Sequence, residues 1–198
     1  MKDTLKYHFF DFCSLSNQDY LIAPIQMQDI EQIRSWRNRQ MDVLRQSKKI
    51  TVEQQRNYYY QHVWPEMALE EPKQLLVSLF HKKNHIGYGG LTPISWEHRR
   101  AEIAFLVDDR RANDKITYEN DFRQFLDLIK KLAFRHLKLN RLYTETYAIR
   151  GEHIAILESS GFVLEGRMKA HIYIKNKPVD SLIHGYLSAN YEREENFC

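Results

Sequence analysis

The stretch "AEIAFLVDDRRANDKITYENDF", Ala101 to Phe122, decides the fold because it joins a strand pattern directly to a helix pattern. In its first part, Glu102 lies on one face with Ala104 and Leu106, in the alternation expected of a strand. After a charged turn, apolar residues recur at three- and four-residue intervals over residues 122–137. This spacing predicts a long helix that packs on the sheet.

Outward from this junction, strand-like and helix-like segments alternate along the chain. A capping box, Thr51 with Gln54, begins a helix that Pro65 is expected to bend or end, and Gly161 ends another. The other predicted helix covers residues 27–38. Seven strands are predicted, at residues 19–25, 73–83, 85–96, 99–108, 141–148, 162–174 and 178–187. This order predicts an α/β fold in a single domain, residues 1–198, with its core at about 19–187.

Composition narrows the class of protein. The 198 residues are 43% hydrophobic, enough for one core, and the net charge of +3 gives no basic field for nucleic acid. Cys13 and Cys198 have neither metal-type spacing nor the pattern of a disulfide framework. No histidines show ligand spacing with a third partner, so we expect no metal.

The N-terminal segment, "MKDTLKYHFFDFCSLSNQ", is interrupted by Lys6, His8 and Asp11. It therefore matches neither a signal peptide nor a membrane span. We expect a cytoplasmic protein with no membrane and no nucleic-acid partner.

The order of elements, with "AEIAFLV" before the long helix and "AILESSGF" after the fifth strand, resembles the Gcn5-related N-acetyltransferase (GNAT) superfamily. The segments "IRSWRN" and "GFVLEGRMKAHIYIKNKPVDSLIHGYL" are similar to the branch of ribosomal-protein N-terminal and nucleotide-amino-sugar acetyltransferases. The resemblance implies a twisted, mixed seven-stranded sheet with helices on both faces and splayed fourth and fifth strands. Acetyl-CoA would lie in the splay, with its pantetheine arm beside Leu106 and Val107. A homodimer is compatible with this resemblance.

One departure from the family concerns the cofactor pyrophosphate. The family grips it with a glycine-containing turn after the fourth strand, but this chain has no glycine in residues 91–150. Arg110, Arg111 and Lys115 supply cations there, which favours a remodelled pyrophosphate site. The alternative is an ordinary solvated loop.

A second departure concerns the general acid. Alignment on Gly161 places Arg150 and Leu157 where the family commonly has an Asn that touches pantetheine and a Tyr that protonates the thiolate. Leu157 cannot donate a proton, so the acid must be another group or water. Arg150 and His153 are predicted to contact the cofactor. The nearest proton donors in the sequence are Tyr143, Tyr147 and His153, with a packing or surface position as the alternative for each.

Glu102 is the predicted catalytic base, because it resembles the catalytic glutamate of the histone-acetylating members of the superfamily. An alkylamine with pKa about 10 is protonated at neutral pH, so a base matters. The alternative is a structural carboxylate paired with Arg99 or Arg100. His184 is the second catalytic candidate, with a packed histidine as its alternative.

The branch resemblance places the acceptor site at the loop after the first helix and at the last hairpin. The predicted substrate-binding residues are Trp36, Arg37, Asn38, Arg45, His171 and Tyr173. For Trp36, a place in the core is the alternative.

Three functions follow. The preferred one is acetyl-CoA-dependent acetylation of a primary amine of a small molecule, in particular a nucleotide-linked amino sugar, since Arg37 and Arg45 favour an anionic acceptor. The second is ribosomal-type protein N-terminal acetylation. The third is a degenerate acetyltransferase fold that serves as a binding module, which the missing glycines and Leu157 would favour.

Overall fold

A computed structural model describes residues 5–8 and 12–196. Cys13 is exposed and free, whereas Cys198 lies outside the described residues. The strands, in chain order, are β1 (Leu15–Asn17), β2 (Tyr20–Pro24), β3 (Leu75–His81), β4 (Asn84–Ser95), β5 (Arg100–Val107), β6 (Arg141–Tyr147), β7 (Val163–Ile174) and β8 (Lys177–Leu187).

These strands form one sheet in the order β1-β2-β3-β4-β5-β6-β8-β7. The α/β class and the mixed sheet are confirmed, since β5 and β6 pair in parallel and the other neighbours pair antiparallel. The described residues contain eight strands rather than the predicted seven. The additional strand, β1, has only three residues, too few to give a detectable alternation.

Seven α-helices accompany the sheet in the described residues. They are α1 (Ile30–Arg39), α2 (Val52–Tyr58), α3 (Trp64–Met67), α4 (Asp109–Ala112), α5 (Lys115–Lys130), α6 (Gly151–Ser159) and α7 (Ser188–Asn196). A π-helical turn, Tyr59–Val63, joins α2 to α3, and this wider turn lets the helix continue through Pro65 instead of ending there. The predicted capping box at Thr51 and Gln54 is present.

The helices cover both faces of the sheet. Tyr88 on β4 accepts a hydrogen bond from Arg37 of α1, whereas a Cβ at the adjacent Gly89 would come within 2.5 Å of Phe125 on α5. Because successive strand residues point to opposite faces, α1 and α5 lie on opposite sides of the sheet.

The predicted splay follows from the register of β5 and β6. The two strands pair at three positions, of which the last is Glu102 opposite Tyr143. From there β6 continues to pair with β8, and β5 continues to pair with β4. The sheet is therefore open between β5 and β6 beyond Glu102.

Candidate active site

Three adjoining clefts lie at this opening. The central cleft, about 210 Å³, lies between the separated strands and is lined by residues that include Glu102 of β5 and Glu145 of β6. The α6 cleft, about 400 Å³, lies where β5 ends and α6 begins and shares Arg150 and His153 with the central cleft. The α2 cleft, about 630 Å³, lies beside α2 and shares Arg37 and Arg45 with the central cleft.

In the central cleft, Arg45 bridges two carboxylates. Its Nη2 lies 2.7 Å from Oε1 of Glu102 and 2.8 Å from Oε2 of Glu145. The partner of Glu102 is Arg45, which the chain between α1 and α2 brings to the strand, and not Arg99 or Arg100 as the structural alternative expected. The two glutamate side chains are only 13% and 16% exposed, whereas Arg45 is 55% exposed.

Opposing effects act on Glu102. Burial raises the pKa of its carboxyl, the hydrogen bond and charge of Arg45 lower this pKa, and the charge of Glu145 raises it. The net result is a raised pKa, so the carboxylate binds a proton more readily than an exposed glutamate does. This is the environment expected of a general base.

The two histidines of the last hairpin have different surroundings. His171 on β7 is partly exposed, and its Nε2 lies 3.7 Å from Glu145. His184 on β8 is fully buried, with its Nε2 3.5 Å from Glu158 of α6, and it lines none of the three clefts. Its placement therefore matches the packed alternative better than the catalytic one. Tyr173 is 74% exposed and also lies outside the three cleft linings.

The α6 cleft brings together the predicted cofactor residues Leu106, Val107, Arg150 and His153. The carbonyl of Val107 already accepts a hydrogen bond of 2.7 Å from Nε2 of Gln40, which follows α1. A pantetheine amide that paired with this carbonyl would share it with Gln40 or displace it.

A hydrogen-bonded cluster of three side chains lies beside these residues. Tyr118 of α5 has its hydroxyl 2.8 Å from Nδ1 of His153 and accepts a 2.9 Å hydrogen bond from Arg150. Burial and the charge of Arg150 hold the pKa of His153 well below its ordinary value, so its ring is neutral near pH 7. Because Arg150 donates to the Tyr118 oxygen, we assign the hydroxyl proton to the bond with Nδ1.

Tyr118 is a polar group that the sequence reasoning did not identify. The pKa of its hydroxyl is raised, because burial outweighs the charge and hydrogen bond of Arg150, which lower it. Leu157, in the place of the usual Tyr, is fully buried. The available signal was the spacing of Tyr118 with Phe122 and Phe125, which puts a polar-tipped ring on the sheet-facing side of α5 near the end of β5.

The predicted pyrophosphate residues lie in residues 108–115, named here the α4 segment. Each already has a carboxylate partner. Arg110 pairs with Asp108 at 2.8 Å, Arg111 with Asp121 at 2.6 Å and Lys115 with Glu152 at 3.3 Å. The Arg110 side chain holds the pKa of Asp108 down, at about 2.

The backbone of the α4 segment is occupied in the same way. Asp108 accepts a hydrogen bond from the amide of Arg110, and Asp114 accepts one from the amide of Thr117. In place of glycine-lined amides open to an anion, the chain therefore forms the short helix α4 with aspartate caps at both helix starts.

Arg111 differs from the other two cations of the α4 segment. Its partner Asp121 is fully buried and also accepts a 2.8 Å hydrogen bond from Tyr20. Arg111 therefore joins α4 to α5, while Tyr20 joins the same carboxylate to β2, and this pair would have to open for Arg111 to bind a pyrophosphate. Arg110 and Lys115 are 84% and 71% exposed, so their pairs exchange easily with another anion.

The α2 cleft contains four cations, Arg37, Arg45, Lys48 and Lys49, and no carboxylate in its lining. Arg37 contacts Gln46 and Tyr88. Among the residues that the structure describes, Arg37, Lys48 and Lys49 have no acidic partner. The two lysines were not among the predicted site residues.

Two further predicted substrate residues, Asn38 and Trp36, do not line this cleft. The Oδ1 atom of Asn38 accepts hydrogen bonds from the amide of Ile50 and from Gln46, and its Nδ2 donates to the carbonyl of Ile50. Asn38 thereby fixes the segment that carries Lys48 and Lys49. Trp36 is 1% exposed and lies in the core, as its alternative stated.

Within residues 5–8 and 12–196, no group of three potential metal ligands comes together. None of the helices in this part of the chain is long and apolar enough to cross a bilayer.

A mixed sheet that opens between two parallel strands is the arrangement expected of the acetyltransferase fold. The model of the Acetyltransferase (GNAT) domain matches residues 22–183, and the chain belongs to this family. It is an acyl-CoA-dependent N-acetyltransferase, and acetyl-CoA is the co-substrate typical of the family. No curated protein matches the sequence.

The structural neighbours include spermidine N-acetyltransferases from Vibrio cholerae. A crystal structure of such an enzyme with CoA and spermine gives a TM-score of 0.76 at 19% identity, covering 88% of this chain and 99% of that chain. A structure described as dodecameric gives 0.74 at 18% identity, covering 88% and 97%. At these identities the likeness shows the shared fold.

Proposed function

We propose that this N-acetyltransferase acts on a primary amine of a small molecule that also carries negative charge, such as an amino sugar linked to a nucleotide. The observation that carries the proposal is the lining of the α2 cleft, with four cations and no carboxylate. Arginine and lysine side chains bind phosphate oxygens strongly, and the cleft is large enough for a small ligand.

The same lining argues against a polyamine, although the structural neighbours are named as spermidine acetyltransferases. Two like charges 4 Å apart repel by about 1 kcal/mol in water and by about 4 kcal/mol near a protein surface. A polyamine in the α2 cleft would face several such contacts without a carboxylate partner in its lining.

In this proposal, Lys48 and Lys49 hold the negative group and the amine points toward the central cleft. Glu102 removes a proton from the ammonium, directly or through one water, since its burial favours proton uptake. The free amine then attacks the thioester carbonyl and a C–N bond forms. The nitrogen of the adduct loses its extra proton to water, and the C–S bond breaks.

The departing thiolate needs a proton, and we assign its donor to Tyr118. Tyr118 lines the α6 cleft beside the open end of β5, where the pantetheine arm would run, and its hydroxyl proton would leave the bond with Nδ1 of His153. Arg150, 2.9 Å from the phenol oxygen, stabilises the phenolate that remains. That phenolate then regains a proton from water.

The test is an acetylation assay on matched amines, with CoA release and product mass as readouts. The panel contains glucosamine, glucosamine phosphate, a nucleotide-linked amino sugar, spermidine and a peptide with a free N-terminus. We expect kcat/KM to be at least tenfold higher for the phosphorylated sugars than for glucosamine, and spermidine to be poorest. A preference for spermidine would contradict the proposal, and a preference for the peptide would favour the ribosomal-type alternative.

A further inference from the structure

Arg45 connects the two halves of the proposed site. It lines both the central cleft and the α2 cleft, and it contacts Glu102 and Glu145 at once. Among the described residues it is the single cation paired with Glu102. A base whose lone pairs are held by a guanidinium is not free to accept the proton of an ammonium.

We infer that Arg45 couples acceptor binding to the base: a negative group in the α2 cleft draws its guanidinium away from Glu102, which is then free to deprotonate the acceptor amine. The inference rests on the proposed function, because it requires an anionic acceptor. It makes Arg45 a specificity-determining residue, since an amine without a negative group would leave Glu102 paired.

The energetics permit this exchange. Arg45 is 55% exposed, so its guanidinium is already partly solvated and can change partner without leaving a buried site. A phosphate offers the guanidinium a two-pronged contact of comparable geometry. The flanking chain is fixed by Asn38, which bonds Gln46 and Ile50, so a change of rotamer at Arg45 suffices.

The charges around Glu102 favour proton uptake once Arg45 has moved. Glu145 and Tyr143 face it from β6, and Arg45 faces it from the segment before α2. His171 of β7 lies on the far side of Glu145, and Arg100 of β5 lies over the ring of Tyr143. Without Arg45, two carboxylates share one site, and like charges favour protonation of one of them.

The first test uses inorganic phosphate as the probe and needs no acceptor. Carbon NMR of labelled glutamate carboxyls, with Glu102 assigned by comparison with Glu102→Gln, reports its titration. We expect phosphate to move the Glu102 midpoint to higher pH in the parent and to leave it unmoved in Arg45→Met. A midpoint that phosphate does not move in the parent would overturn the coupling, whatever the acceptor is.

The second test compares turnover of glucosamine phosphate with turnover of glucosamine. We expect Arg45→Met to reduce the ratio of the two kcat values about tenfold, the effect of ~1.4 kcal/mol. The acid limb of the pH profile of Arg45→Met should lie at higher pH than that of the parent enzyme. Arg167→Met is the matched control, because Arg167 is 52% exposed and pairs with Asp180 outside the three clefts. Arg45→Lys should restore part of the ratio.

The outcomes of these tests distinguish the proposed function from the coupling through Arg45. A parent enzyme with no preference for the phosphorylated sugar contradicts the proposed function, and the NMR titration then still decides whether Arg45 responds to anions. A parent with that preference, combined with an unchanged kcat ratio and pH profile in Arg45→Met, overturns the coupling and leaves the proposed function standing.

Discussion

The α4 segment and the α2 cleft are both rich in cations, but the cations of the two regions differ in their partners. In the α4 segment, Arg110, Arg111 and Lys115 all contact carboxylates of the chain itself. In the α2 cleft, Lys48 and Lys49 have no acidic partner among the described residues, and the lining contains no carboxylate. A count of cations along the sequence therefore says less about anion binding than their partners do.

The difference arises from where the acids lie. The α4 segment contains the starts of α4 and α5, where Asp108 and Asp114 are the caps, and Asp121 and Glu152 lie on the adjoining helices α5 and α6. The segment after α1 is held instead by the amide of Asn38, which is neutral. Its lysines therefore keep their charge uncompensated toward the cleft.

The largest loss of activity is expected from a change at Glu102, which lines the central cleft. Glu102→Gln keeps the size of the side chain but cannot take a proton, so kcat should fall by about 10²–10³ at neutral pH. The deficit should shrink as the pH approaches the pKa of the acceptor amine, because the amine then loses its proton unaided. Initial rates across pH at saturating substrates measure this.

Stability distinguishes a base from a structural carboxylate at this position. The folded pKa of Glu102 is raised, so its contribution to stability is present below its unfolded pKa and is lost as the pH rises through the folded value. Glu102→Gln should therefore unfold at the same or a higher temperature near pH 7. A lowered melting temperature with normal turnover would show that Glu102 is structural.

Breaking the ion pair between Arg111 and buried Asp121 should give the next largest effect, a loss of stability. Arg111→Met leaves Asp121 buried without its cation, so unfolding free energy should fall by about 3 kcal/mol. Denaturant titration measures it, with Arg110→Met as the control, because the Arg110 side chain is 84% exposed. Equal losses in the two variants would show that the exposure of the pairs does not matter, contrary to this account.

Removal of the proposed general acid, the hydroxyl of Tyr118, should give a smaller loss of activity than the change at Glu102. Tyr118→Phe removes the hydroxyl between Arg150 and His153, and we expect kcat to fall by about 10², the lower end for a proton-transfer group. The deficit should narrow for a thioester whose thiol is more acidic, because such a thiolate departs without a proton. A deficit independent of the leaving group would point to a packing role.

Local patterns predicted most of the fold. Alternation gave β5, the capping box gave the start of α2, and three- and four-residue spacing gave α5. The strand β1 and the helix α4 were missed because three or four residues carry no period. The helix α7 was missed as well, because its polar sequence has no apolar stripe.

The site could be predicted only in part, because its charges are paired over long sequence separations. Arg45 and Glu102 are 57 residues apart, and Arg45 and Glu145 are 100 apart. No spacing rule joins such residues. Glu145 could have been found from the strand register, since it follows by two residues the Tyr143 that pairs with Glu102.

Reversing the charge of the α2 cleft tests the central claim most directly. The double variant Lys48→Glu with Lys49→Glu is compared with Lys115→Glu, which changes the α4 segment. The measurement is the ratio of kcat/KM for glucosamine phosphate to that for glucosamine. We predict that the double variant lowers this ratio at least about tenfold, the effect of ~1.4 kcal/mol, and that Lys115→Glu leaves it unchanged. A ratio that stays constant in the double variant and falls in Lys115→Glu would contradict the account.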